Sequence, residues 1–224
     1  MRKVLFIILF LGAVVFFLPQ IASFGFAKRQ VEAHLAKQLG GEVKIEKLSL
    51  SWFSTQTCHK VQWIDPSNGI TLFADQVAVL ASLSDCLRFK EKPLNVQVTG
   101  AEMKSQAKFR FIKKKKKKDL EMHFSPIVAK IENGTIAFQQ MQIEINTSMK
   151  ITVRGQFDLK KHHMDITLGL PPQTLKKVFK EAKNLPDDFL LEIPISTKLN
   201  SKAFEKALIG FFLKNYATVT SLHK

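Results

Sequence analysis

From Glu42 to Leu168 the apolar residues recur at every second position in a series of short runs. Val43 and Ile45, Val61 and Trp63, Leu94, Val96 and Val98, then Leu120, Met122 and Phe124 show the pattern. A period of two sends successive side chains to opposite sides of an extended chain, so these segments are half-buried strands and not helices. Roughly ten such strands follow at spacings of about 8–12 residues. Turn chemistry separates them, as at Asp65-Pro66-Ser67-Asn68-Gly69 and Asn133-Gly134. The expected fold is mainly β (α+β), an antiparallel meander with one apolar face. The other face carries Lys, Gln, Glu and Thr. A sheet of this kind has to cover its apolar side with something.

Two C-terminal helices can supply part of that cover. Pro171-Pro172 suits a helix start, and Leu175, Val178, Phe179 and Ala182 follow at helical spacing up to Asn184. Ser201 is a candidate N-cap for a last helix with Phe204, Ala207, Leu208, Phe211 and Phe212 on one side. Between them Phe189 to Leu199 reads as a strand. Pro194 lacks the N–H a central strand needs, so this strand belongs at an edge.

The other end of the chain obeys a different rule. Arg2 and Lys3 precede fifteen apolar residues, Val4 to Leu18, and no charge appears before Lys28. The strictly apolar run is about 22 Å long as a helix, but the uncharged stretch to Ala27 reaches about 36 Å, enough for a bilayer core. Two readings fit, an uncleaved signal anchor and a cleavable signal peptide with Gly25 and Ala27 as the small residues before the cut. Phe24 and Phe26 make a poor cleavage site, so the anchor is the expectation. Val31, Leu35 and Leu39 then fall on one helical stripe, and Gly40-Gly41 stops it. The expected organisation is a signal anchor over 1–27, an amphipathic helix over 28–41 and a single β-rich domain over 42–224.

Catalytic chemistry is not legible. No nucleophile-elbow, phosphate-loop or dinucleotide-binding motif occurs. Two cysteines cannot build a zinc site of three or four thiolates, and the six histidines lack helical ligand spacing. The expectation is a non-enzyme with no cofactor and no metal site. Cys58 and Cys86 read equally well as one disulfide or as two separate thiols.

The formal charge is +15, and eight of those charges sit in Arg2, Lys3 and one run of six lysines. That run is Lys113, Lys114, Lys115, Lys116, Lys117 and Lys118, placed between two alternating segments. Six like charges repel and stay solvated, as in a hairpin loop. A plain solvated loop and a contact with anionic lipid headgroups both suit it. Nucleic acid is the weaker partner, because no aromatics are interleaved for stacking.

The order of membrane segment, amphipathic helix, Gly-Gly and a meander beginning Val43-Lys44-Ile45-Glu46-Lys47-Leu48-Ser49-Leu50-Ser51-Trp52 resembles the AsmA-like family of bacterial envelope proteins. Ile131-Glu132-Asn133-Gly134-Thr135-Ile136 resembles its recurring strand-turn unit. Ile193-Pro194-Ile195-Ser196-Thr197-Lys198-Leu199-Asn200 is similar to a stretch near its C-terminal parts. The resemblance implies an inner-membrane anchor, a periplasmic body and a half-open β groove that shelters acyl chains. Its implied partners are membrane lipids, anionic phospholipid among them, and a larger envelope assembly, with no nucleic acid. Candidate groove-lining residues are Val96, Val98, Phe109, Phe111, Ile136, Phe138, Ile143, Ile145, Ile151 and Val153. The expected function is lipid binding, lipid transfer or envelope maintenance. The rival is a structural or interaction protein whose β core is closed and whose lysine loop docks an anionic partner.

Overall fold

The computed structural model describes residues 25–67, 69–88, 92–105, 120–178, 185–198, 203–204 and 206–211. The anchor expected over 1–27 therefore lies almost wholly outside the described residues, as do Phe109, Phe111 and the lysine run. Among the described residues no helix is long and apolar enough to cross a membrane.

The chain opens with helix α1 (Phe26–Leu39), which ends at Gly40 as the sequence predicts. Strands β1 (Glu42–Ser49), β2 (Gln56–Asp65) and β3 (Ile70–Val79) follow. A short helix α2 (Leu83–Leu87) precedes β4 (Leu94–Thr99), β5 (Glu102–Ser105), β6 (Leu120–Phe124) and β7 (Ile127–Glu132). Then come β8 (Thr135–Ile145), β9 (Met149–Asp158), β10 (His163–Leu170), helix α3 (Pro172–Val178) and β11 (Leu191–Lys198). A last helical stretch covers 203–204 and 206–211.

All eleven strands belong to one antiparallel sheet. β4 and β5 both pair with β3, and the offset of Gln76↔Thr99 continues unchanged into Phe73↔Glu102. They are thus one strand interrupted at Gly100-Ala101. In the same way β6 and β7 are one strand interrupted at Ser125-Pro126, because Val98↔Ile127 and Glu102↔His123 share an offset. Hydrogen bonds cross the interruption, from Phe124 N to Ala101 O at 2.9 Å and from Ser125 N to Gln142 O at 2.8 Å. The sheet is therefore nine long strands in chain order, each beside its neighbour in sequence.

The turns explain that order. Glu132↔Thr135 closes a two-residue hairpin whose Asn133 and Gly134 both have positive φ, 52° and 85°, the type that matches strand twist. At Asp65 the carboxylate accepts from Ser67 N at 2.9 Å, an Asx turn. Helix α2 was not among the expected elements. Ser82 caps it by accepting from Asp85 N at 3.1 Å and donating to the Asp85 carboxylate at 2.7 Å. Ser82-Leu83-Ser84-Asp85 is a short capping box, and that is the signal in the sequence.

Both edges are managed. α1 runs back along β1, where Glu32 Oε1 accepts from Ile45 N at 2.7 Å and so occupies an edge donor. At the other edge β11 carries Pro194, as expected of a strand that pairs on one side only.

Candidate functional site: the apolar face

In an antiparallel ladder, residues directly opposite each other point to the same face. Tracing the register gives a row that runs from β1 to β9: Val43, Trp63, Leu72, Met103, Met122, Ile145 and Met149. Every member is apolar. A second row runs Leu48, Cys58, Val77, Val98 and Ile127. A third runs Val79, Val96, Ala129, Phe138, Gly155, Ile166 and Ile195. The expected one-sided sheet is present, and its apolar side is continuous from edge to edge.

Its cover is not uniform. Phe138, Ile143, Val153, Met164, Ile166, Ile193 and Ile195 form a buried cluster on β8–β11. Phe204, Ala207, Leu208 and Phe211 of the last helix pack on it. Phe138 and Phe157 stack with centroids 5.2 Å apart. At the other edge Val43, Ile45 and Leu48 of β1 are buried. Between these flanks the same face is only half-buried. Val61, Trp63, Leu72, Val77, Val79, Val96, Val98, Met103, Met122 and Ile127 are all intermediate in exposure.

The eight expected lining residues that are described fall on this one face but divide between the two environments, and Phe109 and Phe111 lie outside the described residues. Val96 and Val98 lie on the half-buried middle, while Phe138, Ile143 and Val153 sit inside the closed cluster. Ile136, Ile145 and Ile151 are half-buried beside it. Trp63, Leu72 and Val77, absent from the expected set, share the middle with Val96 and Val98. Their alternation marks them as strand residues. Choosing them needed the register, which a single sequence does not contain.

The face also carries a fault line. Unbroken alternation keeps one face on residues an even number apart. Here Ile45 and Leu48, Val61 and Cys58, and Ala74 and Val77 share the apolar face at odd separations. So do Val98 and Met103, then Phe124 and Ile127. The skips lie side by side across adjacent strands and end in the bulge between Phe138 and Met141 of β8. Lys60 takes φ of 48° and Gly100 φ of 60° on this line. A Cβ on Gly100 would lie 2.0 Å from Asp75 Oδ2. Such irregularities bend a strand and raise its twist, and here they are aligned. The extra residue on each strand turns to the polar side, where Lys60 Nζ meets Glu46 Oε2 at 2.9 Å. The hydrogen bond with Glu46, and then its charge, raise the Lys60 pKa.

The polar face carries cross-strand pairs. Lys104 meets Glu121 at 3.2 Å, His123 meets Glu102 at 3.3 Å and Arg154 meets Glu192 at 3.0 Å. Each is exposed and contributes at most about 1 kcal/mol. On β10 the Asp165 carboxylate accepts from the Ser196 hydroxyl at 2.5 Å. That bond, helped by His163, lowers its pKa against a partial desolvation.

Both cysteines are free thiols in the structure. Cys58 is on the apolar face, where burial raises its pKa. Cys86 lies in α2, where burial and then the Asp85 charge raise it. Neither is poised as a nucleophile. The lysine run itself is outside the described residues. It lies within 106–119, which joins β5 to β6 beyond the closing pair Ser105↔Leu120. Set against known proteins, the chain matches no family model, no curated protein and no solved structure.

Proposed function

We propose that the chain is a membrane-anchored, AsmA-like protein of the bacterial envelope that shelters lipid acyl chains on the middle of its sheet. The observation that carries this reading is the row from Val43 to Met149, apolar at every position yet only half-buried at Trp63, Leu72, Met103 and Met122. Large contiguous apolar surface left partly open marks a binding surface in soluble domains. Acyl chains ask for such a surface and no hydrogen-bonding groups, and the one donor in the row, Trp63 Nε1, is taken by the Gly40 carbonyl. The aligned fault line bends the strands and so favours a concave side. The uncharged stretch to Ala27 supplies the anchor, and the lysine run supplies affinity for anionic headgroups, each lysine contributing about 1 kcal/mol near such a surface. Nine strands at about 4.8 Å span roughly 40 Å, so lipid is handled locally or within a larger assembly.

Mass spectrometry of the detergent-purified full chain tests this. Phospholipid should co-purify at about one per chain and fall several-fold in Leu72→Glu, while the far-ultraviolet spectrum is kept. Absence of lipid from the wild type would overturn the reading. The rival, a closed-core interaction protein, draws on the helix-covered cluster of β8–β11. It requires the middle strands to be lipid-free as well.

A further inference from the structure

The two ends of the strands differ in what they present to solvent. α1 finishes at Gly40, whose carbonyl accepts from Trp63 Nε1 at 2.7 Å, beside the start of β1. Twelve residues earlier Lys28 Nζ reaches the Glu46 carbonyl at 3.5 Å. The helix therefore begins at the Ser49 end of β1, and so does the exit toward the uncharged residues that precede it. The loop after β1 and the loop after β3 lie at that same end. Gln56 ties them together, donating to Ser51 O at 2.7 Å and to Ala81 O at 3.1 Å, and Leu83 N donates to Ser51 O at 3.0 Å.

This braced pair of loops holds large apolar side chains out in water. Phe53 is 80% exposed and Leu80 47%, and Phe26, at the start of α1, is 76% exposed. Phe53 and Leu80 are carried on backbone pinned by buried Gln56, so their exposure is a property of a fixed loop pair. Lys28, Arg29 and Arg88 lie at the same end. Apolar tips with basic residues at the same end, Arg88 there standing beside Asp85, suit the boundary between acyl chains and anionic headgroups.

We infer that Phe53 and Leu80, with Phe26, enter the headgroup region of the bilayer that holds the N-terminal segment, so that the strand ends stand on the membrane. The inference rests on the anchor reading above, because the uncharged stretch ending at Ala27 is what brings a bilayer to this end of the sheet. The opposite end, with the Asp65–Gly69 turn, points into solvent.

The test uses the full chain in vesicles of phosphatidylcholine and phosphatidylglycerol, with C58A and C86S as background. An environment-sensitive dye is placed at F53C, at L80C or at Ser67→Cys on the far turn. Retention on flotation after alkaline carbonate reports the anchor. Dyes at 53 and 80 should be quenched by nitroxide lipids and shielded from iodide at least fivefold relative to 67. A chain that floats with all three dyes equally open to iodide overturns this inference and leaves the anchor standing. A chain that does not float overturns both. If the thiol replacements unfold the protein, W63F leaves Trp52, next to Phe53, as the sole tryptophan of the two in the chain. Brominated lipids should then quench it, and unquenched Trp52 in floated chain has the same overturning force.

Discussion

The flank of β8–β11 and the middle strands β2–β7 present the same face of the same sheet, with the same alternation, and differ in what lies on them. On the flank an amphipathic helix closes the face, and Ile193 and Ile195 are 0% and 2% exposed. In the middle, Ala74 and Leu120 are the buried apolar residues of that face among the described residues, and the larger Trp63, Leu72 and Met103 stay half-open. Alternation thus specifies which side is apolar and leaves open whether that side is a core or a surface. The distinction is made by elements far away in sequence.

The comparison can be broken most forcefully at its closed side. Ile193→Glu places an unpaired charge where no water reaches, and should cost more than about 4 kcal/mol, enough to unfold the domain in a thermal melt. A melt shifted by only a few degrees would show that the flank is as open as the middle. Gly155 holds the flank differently. Its φ is 143°, and a Cβ there would lie 2.2 Å from Asp165 O on the next strand. Gly155→Ala should therefore cost about 2–4 kcal/mol by urea unfolding, since the backbones of β9 and β10 must separate.

The middle should be more forgiving. Leu72→Glu can turn its carboxylate toward solvent and should cost only about 1–2 kcal/mol in the same urea assay. A loss as large as that of Ile193→Glu would make the two regions one core. A gentler probe is Cys58, which sits on the middle face with its pKa raised by burial. Its alkylation at neutral pH should be slower than that of a free peptide thiol, and slower again when phospholipid is bound. Equal rates with and without lipid would place the bound lipid elsewhere.

The smallest effect concerns the polar side of the flank. Because folding lowers the Asp165 pKa, its contribution is present above the unfolded carboxylate value near ~3.9 and is lost as pH falls through the folded value. Ser196→Ala removes the largest cause and should move the Asp165 midpoint upward in a carbon-detected NMR titration. The melt at neutral pH should barely change, because the pair is solvent-exposed.

Much of this architecture was written in local patterns. Period-two alternation, Asn133-Gly134 and Asp65 to Gly69 specify hairpins, and Gly40-Gly41 ends α1, the longest helix among the described residues. Pro194 placed β11 at an edge, and the spacing of Phe204, Ala207, Leu208 and Phe211 indicated a helix with a face to bury. The helix does bury it, but on β8–β11, where Phe138, Ile143 and Val153 were expected to line an open groove. That pairing spans more than fifty residues and has no local signature. The fault line was equally hidden. At Lys60 the sequence Cys58-His59-Lys60-Val61 reads as a slight lapse in alternation, and only the register shows that adjacent strands lapse at the same level. Ser125-Pro126 has the chemistry of a gap between two strands and is an interruption within one.

The order of the strands has a kinetic consequence. Every strand pairs with the one made just before it, so each pairing closes a short loop and contact order is low for a sheet of this size. The longest connection between paired strands, 171–190 between β10 and β11, holds twenty residues and includes helix α3. The sheet can be laid down strand by strand as the chain is synthesised, with no early strand waiting for a late partner. The exception is the cover of the flank. Residues 203–211 emerge after all four strands they cover, so for a time the face of β8–β11 stands bare. In that interval it is as open as the middle strands are in the finished protein, and a chain that stops before Ala203 keeps it so.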